Sequence, residues 1–144
     1  MNKKGFTLIE LLAIIVILAV IALIGFPIVT NIINQSRISA AERTCDGIAD
    51  AVENLYRMSV LVDPSFPGVT ITFSGSDVSV NDAEGTAYDK AKFEFNGTKP
   101  TAGSATIAQD GGITWTPLTV NTYECEFDEA RNTFDCHQPT EEGE

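Results

Sequence analysis

The apolar residues are concentrated near the start of the chain. Every residue from Leu11 to Phe26 is apolar or glycine, and the stretch from Phe6 to Val29 runs for 24 residues with few polar interruptions. A helix needs about 20 mostly apolar residues to span a bilayer. The pattern therefore predicts a membrane-spanning helix at this end of the chain.

A helical pattern continues beyond this stretch, but with only one apolar face. Apolar or small residues recur at i, i+3, i+4 and i+7, while charged residues occupy the other faces. The stripe comprises Cys45, Ile48, Ala49, Val52, Leu55, Tyr56 and Ser59. No proline occurs between Ile28 and Asp63. We therefore expect one helix from about residue 6 to about residue 60, apolar in its first half and amphipathic in its second.

Two residues weaken this helix at one point. Pro27 lacks the N–H that would bond to the Leu23 carbonyl, and a proline inside a helix costs about 3 kcal/mol. Gly25 adds about 1 kcal/mol. We expect a helix kink at Gly25 and Pro27, or a melted stretch between Ala22 and Pro27.

The rest of the chain predicts short strands. Two prolines and a glycine between residues 61 and 68 end the helix. Alternating apolar and polar residues, with turn signals at 96–97 and 110–112, then predict strands at residues 69–73, 78–80, 92–95, 105–108, 113–115, 120–127 and 133–136. We expect an antiparallel sheet of about four or five short strands laid on the amphipathic half of the helix, which is an α+β fold.

The cysteines predict a crosslink in the last hairpin. An antiparallel register that places Cys125 opposite Cys136 also places Phe127 opposite Phe134, so we expect a disulfide between these cysteines outside the cytoplasm. Cys45, the third cysteine, lies on the apolar helix stripe, where an inert core thiol is expected. Pairing of Cys45 with either other cysteine is the alternative.

Charge and motifs argue against several functions. The net charge of −11 and the pI of about 4.3 oppose direct contact with nucleic acid. The sequence has no nucleophile elbow, phosphate loop or histidine–glutamate metal motif, so we expect no catalytic residues, no metal and no enzyme. A minor alternative is calcium bound by an acidic loop without EF-hand spacing. Its carboxylates belong to Asp77, Asp82, Glu84 and Asp89.

The flanks of the apolar run indicate how it is inserted. Lys3 and Lys4 precede it, so the positive-inside rule places the N-terminus in the cytoplasm and the bulk of the chain outside. No small-residue cleavage site follows the run, so an uncleaved anchor fits better than an ordinary secretory signal. Glu10 lies at the head of the run, and carboxylates in membrane-length segments are rare without a role.

The stretch Lys4-Gly5-Phe6-Thr7-Leu8-Ile9-Glu10 resembles the processing site of type IV prepilins. The resemblance covers the leader and the apolar run, and it implies the pilin fold. It also implies leader cleavage between Gly5 and Phe6 by a prepilin peptidase, N-methylation of Phe6 and retention of the apolar segment. Because the leader contains Lys3 and Lys4, its loss changes the formal net charge from −11 to −13.

In the filaments of this family the apolar helices leave the bilayer and pack together as a core. A carboxylate buried there needs a positive partner. The resemblance therefore implies subunit pairing between Glu10 and the α-amino group of Phe6 on a neighbouring subunit, which would set the axial register. The alternative is that Glu10 is stabilised by the macrodipole at the helix N-terminus.

The residue patterns and the resemblance together divide the chain into five segments. These are a leader (1–5), a transmembrane and assembly helix (6–29), the amphipathic half of the long helix (30–60), a β-sheet head (61–139) and an acidic tail (140–144).

We expect a structural subunit of a type IV pilus for adhesion, twitching motility or aggregation, and Glu10 favours the major pilin. The alternatives are a type II secretion pseudopilin, a competence pilin for DNA uptake, and a signal-anchored enzyme or binding domain. The expected partners are further copies of the chain in a helical filament, the prepilin peptidase and the inner-membrane assembly machinery. The subunit would lie in the cytoplasmic membrane before assembly and in an extracellular filament afterwards.

Overall fold

The computed structural model of the chain describes residues 4–139. Residues 1–3 of the expected leader, Lys3 included, and the expected acidic tail at 140–144 lie outside the described residues. The chain divides into two compact units, Met1–Arg37 and Ile38–Glu144. One long helix contributes its first part to one unit and its second part to the other.

This helix, α1, comprises the 55 residues of Leu8–Val62. It is continuous through Pro27, so the melted stretch expected between Ala22 and Pro27 is wrong for this structure. A proline removes one N–H donor and leaves the helical bonds on both sides in place. The hydroxyl of Thr30 also donates a hydrogen bond to the Pro27 carbonyl at 3.0 Å. The kink at Gly25 and Pro27 stays a prediction.

Seven antiparallel strands follow the helix within the described residues, which end at residue 139. They are β1 Val69–Ser74, β2 Asp77–Asp82, β3 Ala102–Ile107, β4 Ile113–Trp115, β5 Leu118–Val120, β6 Tyr123–Asp128 and β7 Thr133–His137. Six of them are ordered β2-β1-β3-β5-β6-β7 in the sheet, and the remaining strand, β4, pairs with β3. The α+β fold is confirmed, but the sheet has seven strands and not the four or five expected.

Two of the predicted strands differ from the structure. Residues 92–95 form no strand, although β2 is the end strand of the sheet. The alternation there buries aromatic rings instead, as Phe93 does against Phe73 with 5.8 Å between ring centroids. The predicted strand 120–127 is divided by a turn at Asn121, which has a φ of 58°. Asparagine tolerates this left-handed conformation better than most residues.

The second part of α1 buries its apolar stripe among side chains of the sheet. Ile48 and Val52 of the helix and Ile71, Ile107 and Leu118 of the sheet are each at most 1% exposed, and they belong to one core. Burying an aliphatic side chain of this size contributes about 1.5–3 kcal/mol. The predicted amphipathic half of the helix is therefore confirmed as the element on which the sheet is built.

Candidate functional site

Thr7 and Glu10 form a reciprocal cap at the N-terminus of α1. The backbone N–H and the hydroxyl of Thr7 donate to Oε2 of Glu10 at 2.8 and 2.9 Å. In return, the N–H of Glu10 donates to the Thr7 hydroxyl oxygen at 3.3 Å, and the Thr7 carbonyl accepts the first helical bond, from Leu11. Together these bonds form a capping box, which satisfies N–H groups that the first turn leaves unpaired. Glu10 is thus hydrogen-bonded within a single chain.

The predicted cleavage site lies immediately before this cap. Gly5 and Phe6 precede α1 and are exposed, and the Phe6 side chain is 83% exposed. No heavy atom lies within 4 Å of the position that a side chain on Gly5 would occupy. The peptide bond between these two residues is therefore sterically accessible to a processing enzyme.

The first part of α1 presents apolar side chains to its surroundings. Leu8 is 87% exposed, Leu23 is 80% exposed and Phe26 is 73% exposed, and no neighbouring atom contacts the Gly25 position within 4 Å. This part of the helix is long and apolar enough to cross a membrane. Soluble monomers rarely expose a contiguous apolar surface larger than a few hundred Å². The helix therefore requires either a bilayer or other apolar helices around it.

A disulfide joins the last two strands of the sheet. Cys125 and Cys136 are bonded, and the register that pairs them also pairs Phe127 with Phe134, as the sequence predicted. His137 follows Cys136 on β7 and is exposed. The disulfide therefore closes the C-terminal hairpin and fixes its register.

Cys45 is a free, buried thiol beside this disulfide. The three cysteine sulfurs all lie within 4.8 Å of one another. Burial raises the pKa of the Cys45 thiol to about 12, and the nearby carboxylates of Asp46 and Glu42 add to the rise. Because the thiolate is the nucleophilic form, Cys45 is inert in this arrangement.

An ion pair fixes the end of α1 to the segment between β2 and β3. The Lys90 ammonium donates to Oδ2 of Asp63 at 2.7 Å, and the Asp63 side chain is only 7% exposed. The hydroxyl of Ser65 donates to the other carboxylate oxygen at 2.8 Å. The bond from Lys90, followed by that from Ser65, holds the pKa of Asp63 below its ordinary value. The same bond raises the pKa of Lys90.

The acidic loop considered above as an alternative calcium site is held by hydrogen bonds from backbone N–H groups to one of its own carboxylates. Asp82 Oδ1 accepts hydrogen bonds from the N–H groups of Glu84 and Thr86 at 3.0 and 2.8 Å. Within residues 4–139, three side chains bring possible metal-ligating atoms close together, and they are the three cysteines, not the carboxylates of this loop. The described residues of this loop therefore form no ready-made calcium site, and calcium binding stays a prediction.

Two functional contacts were missed at the sequence level. The sequence Thr7-Leu8-Ile9-Glu10 carries the T-x-x-E spacing of a capping box before an apolar run, so the Thr7 contact could have been found. The other contact joins Asp46 Oδ1 to the N–H of Phe134 at 3.3 Å. It links residues 88 positions apart, and no local pattern reveals such a pairing.

Comparison with known proteins supports the resemblance at the N-terminus. Residues 1–26 match the family model described as the prokaryotic N-terminal methylation motif, a class III signal peptide typical of type IV pilins. Pilin-type proteins are structural rather than enzymatic, and this signal peptide implies processing by a prepilin peptidase. No curated protein and no solved structure matches the chain. The long helix packed on a C-terminal antiparallel sheet is a pilin-like architecture.

Proposed function

We propose that the chain is the structural subunit, the major pilin, of a type IV pilus. The observation that carries this proposal is the combination at the start of α1. An exposed apolar helix begins at a methylation motif, and it carries Glu10 within its first turn. The folded unit that follows, in which the helix packs on an antiparallel sheet, would be the head displayed on the fibre. Adhesion, twitching motility or aggregation would be properties of the assembled fibre.

Processing would prepare the subunit for assembly. The prepilin peptidase hydrolyses the accessible bond between Gly5 and Phe6, which releases the lysine-containing leader and frees the α-amino group of Phe6. Methylation of this amine retains its positive charge. The apolar helix holds the processed subunit in the cytoplasmic membrane until the inner-membrane assembly machinery extracts it.

Assembly would then exchange the bilayer for the apolar helices of other subunits. This exchange keeps the exposed side chains of α1 in an apolar environment, but it removes Glu10 from the membrane surface. A carboxylate in such an environment needs a cation. In the described residues Oε2 of Glu10 accepts both bonds from Thr7, and no donor reaches Oε1. We infer that Oε1 receives the methylated amino group of Phe6 from a neighbouring subunit.

Electron microscopy of filaments sheared from the source cell, with mass spectrometry of the purified material, tests this function. We expect long fibres composed mainly of this chain, beginning at methylated Phe6. A processed chain confined to the membrane, without fibres, would contradict the pilus and favour a pseudopilin of a secretion system. A chain that retains its leader would contradict both functions.

A further inference from the structure

A groove runs between α1 and the part of the sheet near β7. It has a volume of about 420 Å³ and two chemically different walls. The carboxylates of Asp46, Asp50 and Glu53 lie on the helix side, while Trp115 and Phe127 lie on the sheet side. The two rings contact each other with 5.9 Å between their centroids. The groove thus combines negative charge with aromatic surface.

The carboxylates of the groove are poorly compensated within the chain. They are spaced at i, i+4 and i+7, which places them on one side of the helix, where like charges repel. Glu53 pairs with Arg57 at 3.0 Å in an exposed contact, and Asp46 accepts only the backbone bond from Phe134. Asp50 has no ion pair or hydrogen bond within residues 4–139. Because aromatic rings also attract cations, the groove suits an ammonium or guanidinium group.

The chain carries suitable cations on the opposite flank of the same helix. Lys92 lines a second cavity together with Leu55 and Met58, and Lys99 lines a third cavity together with Asp77 of β2. Both lysines are exposed, and neither forms an ion pair in the part of the chain that the structure describes. Glu94 lies between them and lines both cavities, so residues 92–99 carry a net charge of +1. Since β2 is at one end of the strand order and β7 at the other, the lysines and the groove lie toward opposite edges of the sheet.

The other basic residues fit the groove less well. Three of those outside the leader are already held in ion pairs, namely Arg57, Lys90 and Arg131. Arg43 lies one helical turn before Asp46 on the same flank, so it belongs to the groove's own side. Arg37 belongs to the first compact unit. Lys92 and Lys99 are therefore the cations of this unit that can face outward from the edge opposite the groove.

We propose that the groove receives the lysine segment, residues 92–99, of a second copy of the chain. The inference rests on the proposed filament, and it specifies one contact between neighbouring heads. Because the groove and the lysine segment lie toward opposite edges, each copy has one free groove and one free segment after a contact has formed. A heterologous contact of this kind adds copies in an open series and does not close a dimer.

Carbodiimide cross-linking of wild-type sheared filaments tests the contact directly, because this reagent joins carboxylates and lysine amines that are already in contact. We expect oligomers resistant to denaturation, in which Asp46, Asp50 or Glu53 is linked to Lys92 or Lys99. Oligomers whose links avoid these residues would overturn the proposal. If the cells form no filaments, the proposed function fails, and the same reaction in intact membranes tests the contact separately. Linked copies would then support the groove, and their absence would overturn it.

Charge exchange provides a second test. Asp50→Lys/Glu53→Lys makes the three groove positions net positive. This double variant and Lys92→Glu/Lys99→Glu should each lower the yield of sheared filaments by about tenfold, because like charges then face each other across the interface. Combining all four substitutions should restore most of the yield, because opposite charges face each other again. Glu84→Lys/Asp89→Lys makes the same charge change outside the groove and should leave the yield unchanged. Equal losses in the two double variants and in the combined variant, with folded chains in the membrane, would overturn the proposal.

Discussion

Glu10 accepts both of its hydrogen bonds from Thr7 through one oxygen, Oε2. The other oxygen, Oε1, has no donor within the described residues. The sequence indicates two roles for this carboxylate, a favourable position at the helix N-terminus and a pairing with the amino group of a neighbouring subunit. The geometry makes the two roles compatible, because one oxygen serves the cap while the other is open to a cation.

The first prediction separates the charge of Glu10 from its hydrogen bonds. Glu10→Gln retains a side-chain oxygen that can accept the bonds from Thr7, but it removes the negative charge. We expect normal leader cleavage and membrane insertion with a loss of filaments, because the neutral amide cannot neutralise the amino group of Phe6 in an apolar core. Immunoblots of membrane fractions and counts of fibres by electron microscopy measure the two effects.

A matched control for this variant makes the same chemical change elsewhere on the same helix. Glu42→Gln, in the second compact unit, removes a negative charge without touching the cap or the apolar run and should not reproduce the selective loss expected of Glu10→Gln. Fibres of normal number and length from Glu10→Gln would show that the charge has no part in assembly.

The second prediction concerns the hydroxyl of Thr7. Thr7→Ala removes the side-chain half of the capping box, which costs about 1 kcal/mol of local helix stability. We expect the amides of the first turn of α1 to exchange about fivefold faster with deuterated solvent in detergent-solubilised chain. Thr7→Ser keeps the hydroxyl and should exchange like the wild type. Unchanged exchange in Thr7→Ala would mean that the cap contributes nothing to the end of the helix.

Much of the fold could be predicted because its signals are local. The apolar periodicity identified α1, and the matching positions of two cysteines and two phenylalanines identified the register of β6 with β7. The segment at residues 92–95 was misread for a physical reason. Its alternation packs the half-buried Phe93 against Phe73, and whether such a segment also joins a sheet depends on where the whole topology places its backbone, which no local pattern specifies.

The candidate site was predictable where its residues are neighbours in the sequence, which includes the cleavage motif and the Thr7–Glu10 cap. The residues around Gly5 and Phe6 form a contiguous motif, so the sequence contains that information in full. The groove between Asp50 and Trp115 brings together positions distant in the chain, and the ion pair of Asp63 with Lys90 does the same. No pattern of neighbouring residues encodes such contacts, which follow from how the helix lies on the sheet.

The third prediction concerns the reactivity of Cys45. With a pKa of about 12, only about one thiol in ten thousand is ionised at pH 8. We expect iodoacetamide to leave the folded chain unmodified at this pH, and to modify one cysteine per chain after unfolding without reductant. Mass spectrometry of intact chains measures both states, and Cys45→Ala should remain unmodified in each. Rapid modification of the folded chain would contradict a sealed core thiol.

The final prediction concerns pH and the ion pair of Asp63 with Lys90. The pKa of Asp63 is held below its ordinary value of 3.8, so the pair stabilises the folded state above that pH and loses its effect as the pH falls through the lower, folded-state pKa. The pKa of Lys90 is raised above 10.5, so the same contribution is lost when the pH rises through that higher value. Between these limits the wild type should melt at a higher temperature than Asp63→Asn.

Thermal unfolding of the detergent-solubilised full chain, followed by circular dichroism, measures this difference. We expect the gap in melting temperature between the wild type and Asp63→Asn to be largest near neutral pH and to shrink as the pH falls below 3.8, through the lowered pKa of Asp63. Asp89→Asn removes a neighbouring exposed carboxylate and should show a small gap at every pH. A gap for Asp63→Asn that stays constant between neutral and strongly acidic pH would show that the charge of Asp63, and so its ion pair with Lys90, contributes nothing to the difference in stability.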